Sequence, residues 1–171
     1  MTDRASALAA TLIRNFHDAT RERYTRGPLY DGEGVRLGTG TAAQKLGASY
    51  DVLDPGKRGC PYHLHHAQEE MFIVVEGHGT LRVADEMLPL KPGDVVFIPA
   101  GPEYPHQIIN TSDAPLKYLS ISTKETPEVC EYPDSDKVMA SGIAGAGVGA
   151  GRPFGVITRR TPSLDYWDGE P

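Results

Sequence analysis

The chain has 171 residues, a net charge of −6, 39% hydrophobic residues and 23% charged ones. That is enough for one core with extra arms but not for two, and an acidic chain without a basic stripe does not suit nucleic acid. No apolar run approaches ~18 residues and no continuous apolar leader opens the chain, so the expectation is a cytoplasmic protein without a membrane contact.

The 19 glycines and 14 prolines exceed ordinary usage and point to many tight turns. Cys60 and Cys130 are the only cysteines and do not read as a disulfide framework. Residues Asp3 to about Thr20 place Leu8, Leu12 and Phe16 at four-residue spacing, which predicts an amphipathic helix packed on its own domain or on a partner subunit. Arg21 to Gly40 is polar and Gly-rich and reads as an arm with little regular structure. From Lys45 to Leu53 the pattern changes to period two, a half-buried strand. Short strands separated by Gly, Pro and Asp turns follow: one at His63 and His65, then Met71 to Glu76, Thr80 to Val83, Met87 to Leu90, Val95 to Ile98, His106 to Asn110 and Leu116 to Ser122. This succession indicates an antiparallel sandwich or barrel.

Beyond Thr126 the chain reads as mostly irregular, with Phe154 to Thr158 as a last strand. Gly142 to Gly151 resembles a dinucleotide fingerprint only superficially: it lacks the strand before and the helix after, and a mobile loop is the expectation. Leu164, Tyr166 and Trp167 are apolar anchors that would dock the acidic end on the barrel or on a partner. The division expected is 1–40 for the N-terminal helix and arm, 41–125 for the barrel core and 126–171 for the tail.

Three of the six histidines fall within Cys60 to Gly77. Side chains alternate across a strand, so His63 and His65 share a face, half of a metal site. Glu70 begins the next strand after a short turn and comes round to the same cavity. His106, opening a later strand, is the remaining candidate. Three imidazoles and a carboxylate suit a divalent first-row metal ion: Fe, Mn, Ni, Co or Zn. His66 and Glu69 alternate out of register and face away, and His78 sits in an exposed turn.

These stretches resemble the two motifs of the cupin superfamily. The first has Gly59, five residues, His65 with His63 two before it, then Glu70 and Gly77; the second has Gly93, five residues, Pro99, Gly101, His106 and, after three residues, Asn110. Four residues separate Gly101 from His106 where the usual pattern has two, which implies a longer turn over the cavity mouth. The resemblance implies an all-β double-stranded β-helix, a small jelly-roll barrel, with His63, His65, Glu70 and His106 meeting inside. Cupins similar to this chain include dioxygenases, sugar-phosphate isomerases, epimerases and decarboxylases. One reading is therefore a metal-dependent enzyme acting on a small organic molecule, of dioxygenase or sugar-phosphate isomerase type. The other is a non-catalytic small-molecule binding or sensing module. Tyr50, Tyr62, Glu103 and Tyr104 are candidates for the cavity or its rim. Lys45, Lys57, Arg58 and Arg82 are possible phosphate donors, though nothing in the spacing places them in the cavity. A single small barrel exposes strand edges, so a homodimer is expected.

Overall fold

The computed structural model describes residues 2–142 and 154–171. After one helix, α1 (Asp3–Leu12), the chain forms β1 (Glu22–Arg26), β2 (Tyr30–Arg36), β3 (Leu46–Leu53), β4 (Leu64–His65), β5 (Glu70–Glu76), β6 (Gly79–Val83) and β7 (Glu86–Leu90). Then come β8 (Val95–Ile98), β9 (His106–Ile109), β10 (Leu116–Thr123), β11 (Glu128–Tyr132), β12 (Lys137–Gly142) and β13 (Phe154–Arg159). The architecture is a double-stranded β-helix. One wall is the six-stranded sheet β1-β2-β3-β10-β5-β8. The other combines β13-β12-β11-β4 with β7-β6-β9, and a bridge between His63 and His106 joins the two parts.

The register of the six-stranded wall decides what the interior contains. Residues opposite each other on antiparallel strands share a face. Leu53 pairs with Leu116; Asp51 with Tyr118 and Tyr118 with Val74; Ser49 with Ser120 and Ser120 with Phe72; Gly47 with Ser122 and Ser122 with Glu70. The inward face thus runs from apolar at one end to hydroxyl and carboxylate at the other. Toward the closed end Leu53, Leu116, Val74, Leu81, Leu90, Ile108, Phe72 and Tyr118 form the core, with Leu53 and Leu116 fully buried, and Ile98 carries it up beside Glu70. Each such aliphatic side chain contributes about 1.5–3 kcal/mol by leaving water. Asn110 fastens this end: its Nδ2 donates to the carbonyls of Leu53 and Ala114, and its Oδ1 accepts from Ser112.

The two flanks differ from the sequence expectation. The helix stops at Leu12, eight residues short of Thr20, because Ile13 is extended and Arg14 spends its guanidinium on the carbonyls of Ala10, Ile13 and Gly40. Leu8, Leu12 and Phe16 therefore do not form one stripe: Leu8 and Leu12 are exposed, while Phe16 stacks on Tyr50 with ring centroids 4.8 Å apart. The Gly-rich arm is a hairpin of β1 and β2 whose second strand pairs with β3 of its own chain. Gly32 and Gly34 fit there because a side chain at either would press on Val52 or Asp51. The tail is also more regular than expected: β11, β12 and β13 form an antiparallel meander, and Phe154–Arg159 is its last strand. Gly142 closes β12, and the rest of the Gly/Ala-rich run lies outside the described residues. Leu164, Tyr166 and Trp167 are exposed among the described residues. No described helix is long and apolar enough to cross a membrane.

Candidate metal centre and adjoining cavity

Four side chains from three strands and one bridge residue aim at one point at the polar end of the barrel. His106 Nε2 lies 2.7 Å from Glu70 Oε2, His65 Nε2 lies 3.5 Å from that oxygen, and His63 Nε2 lies 3.7 Å from it. His63 Nε2 and His65 Nε2 are 3.1 Å apart. All four side chains are shielded, their exposures between 1% and 14%.

The opposite ring nitrogens are already engaged. His63 Nδ1 donates to the Pro61 carbonyl at 2.9 Å, and His106 Nδ1 to the Tyr104 carbonyl at 3.1 Å. His65 Nδ1 lies 3.1 Å from Cys130 Sγ and 3.8 Å from Glu128 Oε1. Such partners fix a ring's orientation and tautomer and leave Nε2 as the ligand atom. Two Nε2 lone pairs at 3.1 Å repel, so either a proton on one ring or a metal ion must lie between them. Metal–nitrogen bonds of about 2.0–2.1 Å place neighbouring ligand atoms ~3 Å apart, close to the observed spacing. The residues therefore fit a divalent ion, held at net charge +1 by three neutral imidazoles and one carboxylate.

Before an ion binds, the groups of the cluster shift one another, and the proton that His65 holds has to leave before its Nε2 can serve as a ligand. Burial, reinforced by His106, pulls His63 down to about 4. Burial acts the same way on His65, but hydrogen bonds to Cys130 and Glu70 outweigh it and raise this imidazole to about 10. Burial opposes the charge on Glu70, yet the hydrogen bonds from His106 and His65 win and hold its carboxylate well below its ordinary value. Cys60 is an inert thiol: burial pushes it up to about 12, and Glu70 adds to the effect.

Backbone contacts set the spacing of the ligands. His63 and His106 exchange N–H···O=C bonds of 3.1 and 2.7 Å, so their rings stand side by side across the join of the wall. The longer turn before His106 ties two ligands together, since Gly101 N–H donates to the His65 carbonyl at 2.7 Å while Tyr104 holds His106. The other rim candidates lie elsewhere. Tyr50 faces outward under Phe16, because Ser49 and Asp51 take the inward positions. Tyr62 alternates away from His63; it is buried, stacks under the Arg82 guanidinium at 3.7 Å and accepts from Asp85 N–H. Glu103 is exposed in the turn beside Tyr104. His66 faces away from the cluster and pairs with Glu131 at 2.8 Å, while Glu69 and His78 are exposed.

Next to the cluster is a cavity of about 430 Å³. Ser49, Ser120, Ser122, Thr39 and Gln68 supply polar lining, and Arg36, Lys124 and Gly47 also line it. Ser122 is the strand partner of Glu70, so the cavity is one strand away from the metal-seeking carboxylate. Asp51 lies one row deeper, where burial raises its carboxyl and Ser49 Oγ donates to it at 2.5 Å. None of the proposed phosphate donors lines this cavity. Arg82 pairs with Asp134, Lys57 donates to the Pro28 carbonyl, and Lys45 and Arg58 are absent from the lining. Ser120 and Ser122 were legible in principle: they share the inward phase with Leu116 and Tyr118, and polar residues in a core phase mark a polar interior.

Residues 49–122 match the cupin domain. The chain carries a cupin domain. Among solved structures it is similar to a cupin sugar phosphate isomerase from Silicibacter pomeroyi, with 26% identity and a TM-score of 0.71 over 90% of this chain and 96% of that one. It is also similar to a protein provisionally described as a sugar phosphate isomerase from Acidithiobacillus ferrooxidans, with 25% identity and a TM-score of 0.72 over 88% and 93%. Among curated proteins an uncharacterized protein of Methanocaldococcus jannaschii is 38% identical over 60 residues, 35% of this chain. That match spans just under half, 46%, of the relative's length. The two structures extend the likeness beyond the cupin barrel to both flanks.

Proposed function

We propose that this cupin is a divalent-metal-dependent enzyme of sugar-phosphate isomerase type. The observation that carries the reading is the convergence of His63, His65, Glu70 and His106 beside a cavity lined by hydroxyl and amide groups. The likeness to two structures described as sugar phosphate isomerases supports it. His63, His65, Glu70 and His106 would hold the ion. When bound, it would polarise a substrate carbonyl or hydroxyl as a Lewis acid.

The chain's own residues account for binding and orientation. Ser49, Ser120 and Ser122 present hydroxyls that both donate and accept, and Gln68 an amide that does the same, a lining that matches a polyhydroxylated carbon chain. An apolar dioxygenase substrate would find little to bury there. Shielding of the cluster keeps bulk water from competing for the carbonyl end.

The test is metal analysis of protein purified without chelator, then incubation of metal-loaded protein with a panel of aldose and ketose phosphates in D₂O. Interconversion of aldose and ketose phosphates is the expected result, and deuterium entering the carbon next to the carbonyl would mark proton transfer rather than a hydride shift as its route. Oxygen uptake with an apolar substrate would move the assignment to a dioxygenase. Tight sugar-phosphate binding without isomerisation would make the protein a non-catalytic binding module.

A further inference from the structure

Arg36 and Lys124 are the unexplained residues of the cavity. Among the described residues, Arg21, Arg23, Arg82, Lys91, Lys117 and Arg160 have acidic partners. Among the described residues, neither the Arg36 guanidinium nor the Lys124 ammonium has an ion-pair partner or a side-chain hydrogen bond, yet both line the same cavity. Arg36 pairs with Ser49, and Lys124 lies two residues beyond Ser122, so both side chains share the inward phase. The strand between them carries Gly47. A Cβ there would stand 3.1 Å from Ser122 Oγ and 3.3 Å from Lys124 Cε. The glycine thus leaves open the space that the two cations border.

We propose that this space is a phosphate subsite: Arg36 and Lys124 hold the phosphate of a phosphorylated polyhydroxylated ligand whose other end reaches the His63–His65–Glu70–His106 cluster. This rests on the isomerase reading for the identity of the far end, but not for the anion. The guanidinium offers a planar fork suited to phosphate oxygens, the ammonium a point charge, and Ser122, Ser120 and Thr39 further donors. A cavity of about 430 Å³ falls in the range of small-ligand sites. No aromatic residue lines it, so it lacks the stacking surface a nucleotide base would use. Ser122 is opposite Glu70, which puts the phosphate and the metal-seeking cluster at two ends of one ligand, one strand apart.

The experiment is calorimetric titration of the full chain with glucose 6-phosphate, inorganic phosphate and glucose, together with metal analysis. Glucose 6-phosphate should bind and weaken as salt rises, inorganic phosphate should compete with it, and glucose should bind far more weakly than either. Arg36→Ala and Lys124→Ala should each weaken glucose 6-phosphate by about 10-fold or more, the loss of one charge-assisted contact. Metal content should stay at the parent's level, and Arg26→Ala, on the same hairpin, should bind as the parent does. Variants that bind as tightly as the parent, glucose that binds as well as its phosphate, or no binding of either phosphate would overturn the proposal. Phosphate binding without isomerisation would sink only the isomerase reading. Isomerisation that survives both substitutions with unchanged KM would sink only the subsite.

Discussion

The Glu128 carboxylate accepts from Gln68 N–H at 2.7 Å, joining the start of β11 to the turn that leads into β5. The same carboxylate takes the N–H of His66 at 3.0 Å, and it is almost fully buried. One side chain thus fixes the turn between His65 and Glu70, two metal-seeking residues. Glu128→Ala leaves the Gln68 N–H without a partner, while His66 N–H keeps the Val129 carbonyl, and costs about 1–3 kcal/mol. The expected result is a lower melting temperature and a metal affinity reduced ~10–100-fold, as for other residues that orient ligands. A melt and metal content equal to the parent's would show that the turn holds itself.

Glu70 and Glu69 are adjacent, one inward and one exposed. Glu70→Gln keeps the shape but removes the charge that offsets the ion, so metal affinity should fall by at least ~10–100-fold with the fold intact. Glu69→Gln should be silent. Metal analysis and melting of both beside the parent decide it; loss at Glu69 alone would mean that the register described for β5 is wrong.

Arg82 and Asp134 form a two-pronged ion pair, with N–O distances of 2.6 and 2.9 Å, that links β6 to the turn after β11. The Arg82 hydrogen bond holds the Asp134 carboxyl below its ordinary value. Its contribution is therefore full above the unfolded carboxyl value near 3.8 and is lost as pH falls through the lower folded value. The pair is partly exposed, so the contribution is about 0.5 kcal/mol. Asp134→Asn should lower stability slightly at neutral pH and leave no difference in strong acid. Denaturant titrations at the two pH values check this, and a gap that widens toward acid would contradict the pairing.

Gly77 has φ +83° in the turn after β5, and a Cβ there would overlap the Pro115 carbonyl. Gly77→Ala combines backbone strain with a clash and should cost about 2 kcal/mol or more. A drop of several degrees in melting temperature is expected, without loss of the ligands' own chemistry.

How much of this was legible in the sequence depended on range. His63, His65 and Glu70 lie within eight residues, where alternation and one short turn suffice to bring them together. His106 also opens its strand as the spacing suggested. The arm's glycines look like loop residues in the sequence, although here they let β2 lie close against Val52 and Asp51. Tyr50 was misplaced for a related reason. Its strand is covered on both faces, by the core on one side and by Phe16 on the other, so burial did not mark the interior. Arg36 and Lys124 reach the cavity through pairing between strands more than ten residues apart, which local pattern does not encode.

A homodimer is expected through the outer face of the six-stranded sheet. Phe97 and Val95 on edge strand β8 are exposed, beside half-buried Met71, Ile73, Leu119 and Ile121 on neighbouring strands. A second copy would cover this apolar face by a two-fold contact. Light scattering should give a dimer at micromolar concentration, and Phe97→Glu should shift it to monomer. A monomeric parent would refute this.

The backbone exchange between His63 and His106 separates two tasks within one barrel. It lies in the wall opposite β2, β3 and β10, so side chains facing the cavity can be replaced without moving the imidazoles along their strands. In a chain built this way the three imidazoles keep their places when the cavity changes, and Glu70 alone shares a wall with the residues that would be replaced. Substitutions at 36, 47, 120, 122 and 124 are then the positions at which to redirect the protein toward a different ligand.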